Sequence, residues 1–158
     1  MERRMHRACG MPTQAIELED RAAKLADAIK GLTTTADPSK RGRKLLADAV
    51  KHSEQLAPGY RHACATSSPD QFASRISEVA VHARRTKALL MLLVQLGYVP
   101  VGDIRELIME ARGLENILVA SRNTARRRLH NRRNSQRRAQ PRRCAEESLR
   151  SRPTKPST

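Results

Sequence analysis

Leu18, Ala22, Leu25, Ile29 and Leu32 recur at alternating steps of four and three residues. That spacing puts them on one stripe of a helix. Glu17, Glu19 and Asp20 fall in its early turns, where the helix dipole favours negative charge. Gly31 and the stretch "TTTADPS" then end it. Leu46, Ala49, Val50, Ser53 and Leu56 repeat the alternation, with Ser39 as the cap and Gly42 weakening the first turn. Pro58 lacks an N–H and crowds the preceding turn, which predicts a kink or interruption there. "SPDQ" opens a third helix: Ser68 at the cap, Pro69 at the first position and Gln71 completing a capping box. Phe72, Ile76, Val79, Ala80, Ala83, Leu90, Leu93 and Val94 supply its inward stripe, and Gly97 is placed for a left-handed closing residue. Asp103 caps a fourth helix with the stripe Ile104, Leu107, Ile108, Ala111, Leu114, Ile117 and Leu118. Arg105, Glu106, Glu110, Arg112 and Glu115 are its solvated face.

Four amphipathic segments with short connections and no strand pattern predict an all-α fold, an antiparallel four-helix bundle. Aromatic residues are 2% of the 158, so the apolar content is Ala, Leu, Ile and Val, which suits helix-on-helix packing. The longest apolar run, "ALLMLLV" from Ala88 to Val94, falls short of the roughly 20 residues that span a bilayer, which predicts no membrane partner. Residues 1–13 lack the apolar segment of a secretory signal. Cys9, Cys64 and Cys144 are odd in number and widely spaced. They predict a reducing, cytoplasmic setting without a disulfide frame or a metal site.

The formal net charge is +15, and its placement changes the picture. From Arg122 to the end, thirteen Lys and Arg stand against Glu146 and Glu147 alone, while residues 14–121 are close to balance. Three parts follow: a short basic segment at 1–13, the bundle at 14–121, and an Arg-rich tail at 122–158. The tail is expected to continue the last helix to about Leu129 and then to become disordered. Arg126 precedes Arg pairs at Arg127–Arg128, Arg132–Arg133, Arg137–Arg138 and Arg142–Arg143, a repeat of five. Five residues turn a helix by about 140° net, so no single face collects the pairs, and Pro141 argues against helix beyond it. A loose arm making phosphate contacts is the expectation; the guanidinium fork suits phosphate. A merely solubilising tail is the plainer alternative.

Between residues 14 and 121 the chain resembles the bacterial four-helix-bundle proteins first described from intervening sequences in large-subunit ribosomal RNA genes. The same fold includes the accessory variability determinant (Avd) of diversity-generating retroelements. Members commonly carry "SIPSNIAEG" in the second helix; here "LAPGYRHAC" stands at Leu56–Cys64, with Pro58 at the family's Pro. "SPDQF" supplies Ser68 and Phe72, and "LGY" stands at Leu96, Gly97 and Tyr98. The spacing of these landmarks agrees without gaps. Ala63 and Cys64 replace the motif's Glu and Gly, and "HARRTK" replaces a stretch that is acidic in many relatives. The resemblance implies a non-enzymatic homopentamer with a basic surface. For Avd-type members it also implies binding of nucleic acid and of a reverse transcriptase.

Two further basic clusters are candidate phosphate contacts: Lys40, Arg41, Arg43 and Lys44 at the start of the second helix, and Arg84, Arg85 and Lys87 in the third. Each reads equally well as a solvated surface. No catalytic residues and no cofactor are expected. Glu78 and His82 share a helix face, but a di-iron bundle needs Glu-x-x-His repeated on paired helices, so they read as a surface ion pair. His62 and Cys64 lack a third orienting group. The expected function is therefore non-catalytic nucleic-acid binding, RNA favoured over DNA, in an accessory role to a reverse transcriptase or RNA-associated complex. The alternative is a homo-oligomeric scaffold whose target is a protein.

Overall fold

The computed structural model describes residues 12–32 and 39–150, with side chains placed at 14–32 and 39–137. It is all-α among the described residues. The helices are α1 Pro12–Gly31, α2 Lys40–Glu54, α3 Leu56–Cys64, α4 Pro69–Gln95 and α5 Val101–Arg150. The segment 1–11, most of the α1–α2 connection and residues 151–158 lie outside the described residues, as do the side chains of Arg138, Pro141, Arg142 and Arg143.

The stripes read from spacing are the buried faces. Leu18, Ala22, Leu25, Ile29 and Leu32 of α1 are buried, as are Leu46, Ala49, Ser53 and Leu56. So are Phe72, Ile76, Val79, Ala80, Ala83, Leu90 and Leu93 of α4. They meet in one aliphatic core with Ile104, Ala111, Leu114 and Leu118 of α5. Burying each large side chain removes apolar area from water at roughly 1.5–3 kcal/mol apiece. Ser53 and Thr86 sit in this core without cost in unmet hydrogen bonds. Ser53 donates to the Val50 carbonyl at 2.8 Å and Thr86 to the His82 carbonyl at 3.0 Å.

The expected second helix is two. Pro58 cannot donate to the Glu54 carbonyl, so the ladder breaks at Gln55 and restarts as α3. Pro58 then occupies the third position of α3, where a missing N–H has no intrahelical partner to lose. Gly59 follows because α3 approaches α4 closely there: a Cβ on it would stand 2.8 Å from Val79 Cγ2. Ser39 caps α2 by accepting from the Gly42 N–H at 3.0 Å. Gly42 is buried under the Tyr98 ring, which a Cβ would meet at 3.2 Å; it serves packing at the cost of propensity. Ser68 and Pro69 start α4 as expected, but Ser68 makes no side-chain capping bond, so the box does not form. At the other end Gly97 has φ 71°. The Tyr98 N–H donates to the Leu93 carbonyl at 2.9 Å and the Gly97 N–H to the Val94 carbonyl at 3.0 Å. That is the Schellman pattern, and glycine supplies the left-handed residue it needs. Asp103 lies inside the first turn of α5, which already begins at Val101.

Ion pairs fix how the helices run past one another. Lys30–Glu54 at 2.8 Å and the Arg61–Glu19 pair set α1 against α2 and α3 in opposite directions. Arg21 grips Glu110 through two hydrogen bonds of 2.8 and 3.1 Å, joining α1 to α5. Arg84 and Lys87 reach Glu115, and Arg133 reaches Asp70 at 3.5 Å. These contacts mean that α5 runs back along the whole of α4. Two expectations on α5 are corrected here. Glu115 is not on a solvated face: it is 8% exposed and turned toward α4, while Ile117 is 37% exposed. The tail expected to leave the helix after about Leu129 is instead helical to Arg150. No glycine follows Gly113, and Arg, Ala, Gln, Glu and Leu are strong helix formers that carry the helix past Pro141.

Candidate nucleic-acid interface

Among the described side chains of α5, Leu129 is the last that packs on the core, with Ala125 buried one turn earlier. Every side chain from Asn131 to Arg137 is exposed. Seven residues cover nearly two turns, so all sides of the helix face water. Arg126, Arg127, Arg128, Arg132, Arg133 and Arg137 are exposed on this stretch, and no acidic residue lies between Glu115 and Glu146. Arg133 has a loose partner in Asp70, both exposed, and such a pair is worth little. Arg126, Arg127, Arg132 and Arg137 have no carboxylate partner among the described residues. Arg138, Arg142 and Arg143 continue the helix, with side chains outside the described ones.

At about 100° per residue, Arg122, Arg126, Arg133 and Arg137 fall within about 60° of one another. Arg128 and Arg132 form a shorter row about 130° away, on the other side of the seam by which α5 packs on α4, and Arg127 points away from that seam. The long row spans fifteen residue steps, about 22 Å, or the rise of six or seven nucleotides at about 3.4 Å each. The repeat of five hides this row: it groups sequence neighbours about 100° apart, and Arg122 falls outside the repeat. Arg122 is the residue that spacing at four, seven and four would have added. Its guanidinium also reaches the Asn123 side-chain oxygen at 3.2 Å.

The other two clusters lie on α2 and α4. Lys40, Arg41, Arg43 and Lys44 are all exposed around the first turn of α2. Ser39 already takes the Gly42 N–H there, which leaves that donor unavailable to a phosphate. In α4, Arg84 donates to Glu115 at 2.9 Å and Lys87 at 2.5 Å. Burial works against the Glu115 charge, but these hydrogen bonds and the two nearby cations outweigh it and hold the carboxyl below its ordinary range. Two of the three α4 cations thus neutralise a buried carboxylate, and Arg85 faces His52 and His82 instead.

His82 bonds to His52 across helices, Nδ1 to Nδ1 at 3.0 Å, and does not pair with Glu78. His62 is exposed, and Cys64 is disulfide-bonded. This corrects the expectation of a chain without a disulfide frame. Among the described residues no group of three His, Cys, Asp or Glu forms that could hold a metal ion. Nor is any described helix long and apolar enough to cross a membrane. Family models, curated proteins and solved structures yield no match to the chain.

Proposed function

We propose that this chain is a non-catalytic, nucleic-acid-binding protein built as an antiparallel four-helix bundle, with α2 and α3 together forming the second helix. One observation carries the reading: seven arginines from Arg122 to Arg137, without an acid among them, on a helix whose last part has left the core. Arg122–Arg126, Arg128–Arg132 and Arg133–Arg137 are like-charged pairs one turn apart, which weaken an isolated helix. A polyphosphate laid along them relieves that repulsion and releases its condensed counterions. The binding surface has no aromatic platform and no acidic network, so it contacts backbone phosphate and leaves selectivity to nucleic-acid shape or to a protein partner. RNA is favoured over DNA, and a reverse transcriptase is the partner implied by the sequence resemblance, with self-association into a pentamer. Cytoplasmic residence belongs to the same proposal.

Cutting the chain after His130 tests the reading and keeps every core residue among the described ones. We expect RNA affinity at about 50 mM salt to fall by at least tenfold with the thermal transition kept; equal affinity of the two forms rejects the proposal. A second reading, an assembly scaffold for a protein target, draws on exposed apolar side chains: Ile16 at 63%, Val101 at 61% and Met109 at 60%. Co-purification that survives nuclease and high salt would favour it.

A further inference from the structure

His52 on α2 and His82 on α4 make the one side-chain hydrogen bond between these two helices among the described residues, 3.0 Å between Nδ1 atoms, with ring centres 5.2 Å apart. Two explanations compete for such a pair. A metal ion about 2.0–2.1 Å from both nitrogens would draw the ring centres in to about 4.7 Å at this N···N distance. A near-linear N–H···N bond leaves them about 5.3 Å apart, close to what is found. The surroundings agree: Arg85 and Lys51 both bring positive charge to His52, and no third ligand joins the pair. The contact is therefore a shared proton between two neutral rings, one donating from Nδ1 and the other accepting at Nδ1.

We propose that His52 and His82 form an acid-sensitive latch holding α2 against α4. The first added proton leaves the bond intact, because an imidazolium still donates through Nδ1 to its neutral neighbour. The second removes the only acceptor and places two cations in contact. Around them stand Asp48 and Lys51 on α2, and Glu78 and Arg85 on α4. His62 of α3 and Arg75 of α4 share a groove of about 330 Å³ with His82. Arg85 and Lys51 oppose the second charge, whereas Asp48 and Glu78, each one turn before its histidine, favour it. Burial leads in pushing both rings below the ordinary histidine value of 6.5. The pair's contribution is thus fully present above pH 6.5 and is lost as pH falls through the lowered values. Glu115, held below its ordinary value of 4.5, keeps its charge between pH 7.5 and 5.

The test compares the full chain with a His52→Gln/His82→Gln variant, whose amides keep a hydrogen bond but do not titrate. Between pH 7.5 and 5 the unfolding equilibrium constant of the native sequence should rise about tenfold more than that of the variant, the effect of one pKa unit. Equal rises in the two proteins overturn the proposal. If the variant does not fold, imidazole NMR titration of the native chain decides. Two coupled rings titrating below 6.5, one carrying its proton on Nδ1, support the latch; either ring titrating at or above 6.5 overturns it.

Discussion

Glu115 is nearly buried on α5, and Arg84 and Lys87 both come to it from α4. Arg84 stays 63% exposed, so its share is screened, while Lys87 is 26% exposed and would be left half-buried without a partner. Glu115→Ala is therefore expected to lower stability by about 1–3 kcal/mol, checked by urea unfolding at neutral pH. Its carboxyl is held below the ordinary value of 4.5, so the contribution is present above that pH and lost as the medium becomes more acid. Gly59 gives a steric prediction. Gly59→Ala sets a Cβ 2.8 Å from Val79 Cγ2, and a β-branched side chain in a core has no low-cost rotamer to yield with. A loss of about 1–3 kcal/mol is expected in the same measurement. Neither residue could be singled out from its own segment. Glu115 looks solvated by periodicity because its partners lie about thirty residues away, and His52 drew no notice because its partner His82 is on another helix.

Among the elements, α4 was the most legible, since Ser68, Pro69 and Gly97 mark its ends in local chemistry. Gly97→Ala forces a side chain into a left-handed residue at φ 71° and should cost about 1 kcal/mol, measured as a lowered Tm. The break between α2 and α3 was also local, dictated by Pro58. The end of α5 was misjudged because two local signals conflict. Arg, Ala, Gln, Glu and Leu favour helix over much of 122–150, while Pro141 and charge repulsion oppose it; the structure sides with propensity. That balance makes a prediction of its own. Added RNA should deepen the helical circular dichroism of the full chain and leave a chain cut after His130 unchanged, because the exposed stretch from Asn131 to Arg137 holds its arginines without core packing beneath them. Equal responses from both forms would count against this account of α5.

At the scale of the whole molecule, the division into a nearly neutral body and a cationic extension was readable from charge placement alone. The arrangement of that charge was not. Rows at Arg122, Arg126, Arg133 and Arg137, and at Arg128 and Arg132, exist only once the segment is helical. The α4 cluster looked like a second patch until Arg84 and Lys87 turned to Glu115. On the proposed reading, phosphate contact is concentrated on one element, with Lys40, Arg41, Arg43 and Lys44 as a separate, lesser surface. The most direct test is the slope of log affinity for a single-stranded RNA against log salt, measured on the full chain and on a variant with Arg122, Arg126, Arg133 and Arg137 all changed to Gln. Each lost phosphate contact should flatten the slope by about 0.7, so a flattening of about 2 to 3 is expected. Identical slopes, or no binding by the native sequence in dilute buffer, would contradict the account.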